Sequence, residues 1–234
     1  MSDLRTAQFG RTAGGVSSVE TNRVLRNTYF LLALSMIPTA LGAFAGIQFG
    51  FFTLFAGSPI LSFVVMLGAM FGFIWGIQRN RNNSFGVVLM LGFTFFMGLM
   101  LSGILSVALS LSNGSSIIMM AALGTAGIFF GLASYAAVTK RDFTNMGKGL
   151  LIGLVMVIVA SVANIFLQMP ALSLTISTIC VGLFSLFILY DLQRVMRGGE
   201  TNYISASLSI YLSLYNLFVN LLQLLMVFAG DSRE

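Results

Sequence analysis

Charged positions fall in tight clusters along this chain, and the stretches between clusters are long and almost wholly apolar. Arg26 to Arg79 encloses 52 uncharged residues, Arg81 to Lys140 encloses 58, Lys148 to Asp191 encloses 42 and Glu200 to Asp231 encloses 30. A helix needs about 20 apolar residues to cross a bilayer, so the gaps hold two, two, two and one crossings. The alternation every second residue that marks a membrane β-barrel is absent. The pattern predicts an all-α integral membrane bundle of seven helices, near residues 29–48, 57–78, 84–108, 115–138, 148–168, 171–192 and 204–229.

Turn residues divide the paired gaps. Breaks are expected at Gln48-Phe49-Gly50, at Ser112-Asn113-Gly114-Ser115 and at Gln168-Met169-Pro170, because proline cannot continue a preceding helix. Pro59 suits a first helical turn. Pro38 falls inside the first span and should kink it, which neighbouring membrane helices can accommodate.

Composition agrees. Apolar residues make up 57% of the chain and charged residues 8%, about a third of the ~25% usual in soluble proteins. Histidine is absent and Cys180 is the single cysteine. Imidazole metal ligands, Ser/His nucleophile pairs and an internal disulfide are thereby removed, and the chain needs no cofactor. The net charge of +5 is topological and does not signal nucleic acid. Arg5, Arg11, Arg23 and Arg26 precede the first span; Arg79 and Arg81, then Lys140, Arg141 and Lys148, then Arg194 and Arg197 occupy the even-numbered connections; only Arg233 falls on the other side. With eleven of twelve positive charges on one side, the positive-inside rule predicts a cytoplasmic N-terminus and an external, periplasmic C-terminus. Residues 1–28 are rich in Ser, Thr, Gly and Arg and read as a flexible cytoplasmic tail, 29–230 as one seven-helix transmembrane domain, and 231–234 as a C-terminal stub. A signal peptide ending near Ala43-Phe44-Ala45 is the competing reading of the N-terminal region.

Helices in lipid associate through close backbone approach. Gly68, Gly72 and Gly76 in the second span, Gly42, Gly46 and Gly50 at the end of the first, and Gly124, Gly127 and Gly131 with Ala121 in the fourth are expected to pack against neighbouring helices, or else against another copy. The 14 Met and 22 Phe read as core and lipid-facing filler.

Two polar features stand out. Ser209, Ser213, Asn216, Asn220 and Gln223 are spaced four, three, four, three, which makes one stripe along the seventh helix, with Tyr211 and Tyr215 beside it. Ser161, Asn164 and Gln168 form a shorter stripe in the fifth. Polar stripes in hydrocarbon must turn inward, either to hydrogen bond between helices or to line a hydrated path. Asp191 is the one acid adjoining an uninterrupted apolar span. It reads either as a structural partner of Arg194, one turn on, or as a carboxylate facing a cavity, where with Ser213 and Asn216 it would hold a proton or cation. In Gly198-Gly199-Glu200-Thr201-Asn202 the glycines suit a turn, and Glu200 or Thr201 suits the start of the seventh helix. Enzyme readings lack their parts: an intramembrane serine protease has no base, an aspartyl protease needs two carboxylates sharing a proton, and metalloprotease ligands are missing.

The tract Val24-Leu25-Arg26-Asn27-Thr28-Tyr29-Phe30-Leu31-Leu32, the run from Val162 through Asn164 and Gln168 to Leu172, Thr139-Lys140-Arg141-Asp142, and Gly198 to Ile204 leading to Ser213-Leu214-Tyr215-Asn216 resemble the YccA-type branch of the Bax inhibitor family. The likeness runs from residue 24 onward. It implies a non-catalytic seven-helix protein of the bacterial inner membrane, with membrane lipid as its surroundings and the membrane AAA protease FtsH as the partner it engages and restrains. Other members of the family are calcium or proton leaks, gated by two carboxylates that share a proton. The resemblance places the first at Asp191 and the second at Ser213, so the dyad is absent. Two functions follow: restraint of FtsH, with the N-terminal tail reaching toward the protease, or a cation leak along the seventh-helix stripe, closed near Asp191.

Overall fold

The computed structural model describes residues 18–51 and 59–231. Among these the only regular elements are seven α-helices and one 3-10 turn. The helices are α1 (Ser18–Gln48), α2 (Pro59–Arg79), α3 (Ser84–Leu109), α4 (Gly114–Val138), α5 (Gly147–Leu167), α6 (Pro170–Met196) and α7 (Tyr203–Asp231), with the turn Thr144–Met146 leading into α5. Six helices are long and apolar enough to cross a membrane; over its described side chains α2 is a shorter apolar helix, Val64–Arg79. Exposed side chains such as Phe30, Phe71, Phe130 and Phe166 present the apolar outer face that hydrocarbon solvates and water does not.

The expected breaks hold. Gly50 has φ 59° after α1, Gln168 has φ 50° after α5, and α6 starts at Pro170. Pro59 opens α2 and Pro38 lies inside α1. α1, however, begins at Ser18, so residues 18–28 are helical and not part of a flexible tail. Val24 packs with Val195 and Ala206, and the fully buried Thr28 donates its hydroxyl to the Val24 carbonyl at 2.8 Å. One buried position per turn is enough to order this stretch against the ends of α6 and α7, although it lacks an apolar stripe. Residues 1–17 and 232–234, with Arg5, Arg11 and Arg233, lie outside the described residues.

α7 is the central helix and packs against α1, α2, α3, α4 and α6, whereas among the described residues the backbone of α5 approaches only α6 and the 3-10 turn. Buried Tyr211 and Leu217 of α7 meet Phe93 and Met90 of α3 and Ile188 and Leu192 of α6 in one core cluster, and Leu222 meets Leu101 of α3 and Ile117 and Ala121 of α4 in a second. The Tyr211 hydroxyl lies 2.8 Å from Thr39 Oγ1 of α1.

The glycine expectation is met most tightly between α1 and α3, and more loosely at Gly76 against Leu89 and at Gly124 against Leu221. α1 and α3 approach so closely that a Cβ at Gly42 would strike the Phe95 carbonyl, and one at Gly98 the backbone of Thr39 and Ala43. Gly46 faces Ser102 of α3. By contrast, nothing lies within 4 Å of a Cβ built at Gly68, Gly72, Gly127 or Gly131. Among the described residues no neighbouring helix packs against those four glycines.

Candidate functional site

A cavity of about 730 Å³ lies among α2, α5, α6 and α7, within the range of roughly 300–1,000 Å³ usual for ligand sites. Every member of the seventh-helix stripe lines it: Ser209, Ser213, Asn216, Asn220 and Gln223, together with Asp191 of α6 and Asn164 and Ser161 of α5. From Ser209 to Gln223 the stripe spans 14 residues, about 21 Å at 1.5 Å per residue, most of the hydrocarbon depth. Gln168 does not join it; the residue sits past the end of α5 in the left-handed conformation that ends the helix.

The hydrogen bonds give the cavity wall its chemistry. Asn216 Nδ2 donates to the Leu212 carbonyl and Asn220 Nδ2 to the Asn216 carbonyl, each at 2.8 Å, and Gln223 Nε2 donates to Ser173 Oγ at 2.9 Å. The donors are thus used within the protein, and the three amide oxygens accept nothing among the described residues. The same holds for the Asp191 carboxylate, which is 7% exposed. No fully buried side-chain oxygen or nitrogen among the described residues lacks a partner, so these acceptors reach cavity space. One face of the cavity therefore presents oxygen acceptors, suited to water protons or a hard cation, while Met70, Ile74, Leu154, Val157 and Phe184 make the opposite walls apolar. Asn164 differs: its Oδ1 accepts from the Met169 N–H at 3.1 Å and stabilises the α5–α6 turn. Ser213 donates to the Ser209 carbonyl at 3.1 Å.

Among the described residues Arg194 makes no direct ion pair with Asp191. Its guanidinium pairs with Glu200 at 3.1 Å, because Gly198, with φ 75°, turns the chain back over the end of α6. α6 also runs on to Met196, which leaves Asp191 more than a turn inside the helix. Nor does Glu200 or Thr201 cap α7. Asn202 does so, with Oδ1 accepting from the N–H groups of Ile204 at 3.0 Å and Ser205 at 3.1 Å. Glu200 instead accepts from the Asn202 N–H.

The ends of α6 and α7 gather the basic connections into one polar network that the sequence did not announce. Gln193, 1% exposed, accepts from the Phe143 N–H at 2.8 Å and donates to the Arg141 carbonyl at 3.0 Å. Arg197 pairs with Asp142 at 3.1 Å. The Thr144 hydroxyl and N–H both donate to Asp142 and, with Arg197, hold its carboxyl below the ordinary value of 3.8. Asn202 Nδ2 donates to the Arg81 carbonyl and to Asn82 Oδ1, and Ser205 donates to Gln78. The α2–α3, α4–α5 and α6–α7 connections are thereby tied together at the end of the cavity nearest Asp191. Tyr190 closes in beside them: a Cβ at Gly147, at the start of α5, would meet its hydroxyl at 2.8 Å. No cluster of three or more Cys, Asp or Glu that could hold a metal occurs among the described residues.

Comparison with known proteins agrees with this architecture. A protein of Escherichia coli strain K12 named modulator of FtsH protease YccA is 41% identical over 209 residues, covering 89% of this chain and 92% of that one. A membrane protein of Vibrio cholerae serotype O1 is 40% identical over 95% of this chain and 97% of its own length, and a protein of Neisseria meningitidis serogroup A is 40% identical over 92% and 95%. Residues 21–230 match the family model described as Inhibitor of apoptosis-promoting Bax1. A multi-pass helical membrane protein whose match runs from the first helix to the last, this chain belongs to the Bax inhibitor family.

Proposed function

We propose that this chain is a non-catalytic protein of the bacterial inner membrane that binds the membrane AAA protease FtsH and restrains it. The similarity to the Escherichia coli modulator of FtsH, 41% identity over 89% of the chain, carries the reading. Its orientation is N-terminus cytoplasmic and C-terminus periplasmic: eleven of the twelve positive charges lie on one side, and the positive-inside rule assigns that side to the cytoplasm. Among the described residues the basic connections are stitched to one another by Gln193, Arg197 and Asn202, which supports a single basic face toward the protease. The N-terminal segment ahead of α1 is the engaging element in this reading.

Co-purification tests it. Membranes solubilised in mild detergent should yield FtsH with the tagged full-length chain, and overproduction should lengthen the half-life of another FtsH membrane substrate. Deleting residues 2–17 should weaken both effects without disturbing α1. Absence of FtsH from the purified material together with an unchanged substrate half-life rejects the proposal.

One observation favours a second reading. The acceptor-lined cavity, with Asp191 at one end and Gln223 toward the other, has the composition of a path for protons or a cation such as calcium. Ser213 occupies the position where leak members of the family carry a second carboxylate, so the cavity offers one acid where they offer two, and cation affinity falls as ligand charge is removed. Flux into proteoliposomes that is equal for wild type, Asp191→Asn and empty vesicles removes this reading.

A further inference from the structure

A second, larger recess has a different chemistry. The backbones of α1 and α4 stand apart, bridged by the edge-to-face pair Tyr29 and Phe129 with ring centroids 6.1 Å apart, and between the two helices runs a groove of about 1140 Å³ floored by α7. Its walls are apolar, with Ala33 and Ala40 of α1 and Ala126 and Ala133 of α4 set between aromatic side chains such as Phe44 and Phe129, and Leu214 of α7 at the bottom. Along α1 the lining extends from Leu25 to Ile47, about 33 Å at 1.5 Å per residue, so the groove runs the whole depth of a hydrocarbon core of about 30 Å.

Its two ends differ in charge. Near Leu25 and Ala137 stand three cations. Arg26 follows the lining residue Leu25 and by helical spacing stands one heptad before the lining residue Ala33; Lys140 and Arg141 follow directly on the end of α4. Among the described residues no ion pair engages these three, whereas Glu200 and Asp142 of the same end are taken up by Arg194 and Arg197. At the other end, near Ile47 and Ile118, the adjoining connection Leu109 to Gly114 has no charged residue. An apolar slot with uncompensated positive charge at one mouth is complementary to an amphiphile with a negative head and long apolar chains, and basic pockets between membrane helices bind acidic headgroups.

We propose that the groove between α1 and α4 holds an anionic phospholipid, its acyl chains against α1, α4 and α7 and its phosphate between Arg26 and Lys140. The inference is independent of the FtsH reading and of the cavity around Asp191. A zwitterionic lipid would bind less well, because its own ammonium competes for the phosphate that the cations would otherwise neutralise.

The experiment uses the delipidated full-length protein in detergent, with phosphatidylglycerol or phosphatidylethanolamine of the same acyl chains added back. Bound lipid is counted by native mass spectrometry and the thermal midpoint is followed. Phosphatidylglycerol should bind and stabilise in preference, and the double variant Arg26→Gln, Lys140→Gln should weaken it about thirtyfold, at roughly 1 kcal/mol per cation. Ala126→Trp, which fills the groove, should abolish the preference, while Arg81→Gln, remote from the groove, should retain it. Equal response to both lipids overturns the proposal. So does loss of preference in the charge variant with full retention in Ala126→Trp, which would mean headgroups held by surface cations alone. Should Ala126→Trp fail to fold, a photoreactive residue at Ala133 decides: cross-linking to phosphatidylglycerol in native membranes supports the proposal, and cross-linking to a polypeptide contradicts it.

Discussion

Replacing Gly98 by alanine should cost stability that the same change at Gly127 does not. A Cβ at Gly98 would stand 2.9 Å from Ala43 N and 2.9 Å from the Thr39 carbonyl carbon, and closer still to the Thr39 oxygen. Those are backbone atoms of a neighbouring helix, so no rotamer change relieves the clash, and α1 and α3 must separate along their shared face. Forcing an extra methyl into a closed contact costs about 1–3 kcal/mol. Gly42, whose Cβ would meet the Phe95 carbonyl, should behave the same way. Gly127 and Gly131 have nothing within 4 Å, and alanine there gains up to about 1 kcal/mol of helix propensity. Unfolding in a fixed detergent, followed by circular dichroism, should therefore place Gly98→Ala and Gly42→Ala well below wild type and Gly127→Ala at or above it. A Gly98→Ala protein as stable as Gly127→Ala would refute the claimed proximity of α1 and α3.

Further outcomes follow from the polar network. Gln193→Leu removes both hydrogen bonds to the α4–α5 connection, at about 1 kcal/mol each, and should raise protease cleavage between Thr139 and Thr144 while the helices remain intact. Asn202→Ala removes the cap of α7 and its ties to the α2–α3 connection; a loss of about 1–2 kcal/mol should appear in the same unfolding assay. Because the Asp142 pKa is lowered by folding, its contribution is fully present above the ordinary carboxylate value and is lost as pH falls through the lowered one. Hydrogen exchange of the α4–α5 connection, corrected for intrinsic rates, should be flat from pH 7 to 5 and rise only in stronger acid; Asp142→Asn should remove that rise. Asp191→Asn should leave the fold unchanged and, on the leak reading, alter proton or calcium flux into proteoliposomes.

How much of this was legible in the sequence depended on whether the deciding interaction was local. Helix number and breaks could be read because charge clusters, Pro170 and the Ser112–Ser115 cluster act through the chain itself. The stripe on α7 was legible because a four-three-four-three spacing fixes one face of a helix wherever that helix sits, and its five residues do share one cavity with Asp191 and Asn164. Gln193 gave no signal, since its partners Arg141 and Phe143 lie about fifty residues away and meet it only after folding. The pairing of Arg194 misled for a related reason: Asp191 is its neighbour by spacing, but a left-handed Gly198 brings Glu200 within reach. Identical glycine spacing in α1 and α2 had opposite outcomes, because a small face permits close approach without supplying the helix that approaches. The early start of α1 was available in part from Glu20, an acid in the first turn, where the helix dipole favours it.

The claim that this protein restrains FtsH is tested most directly with purified components. FtsH, a membrane substrate of FtsH and the full-length chain are reconstituted together, and substrate loss is followed in the presence of ATP. The account predicts degradation that slows with increasing amounts of the chain, and less slowing with a chain lacking residues 2–17. A degradation rate indifferent to the chain at all ratios would contradict it.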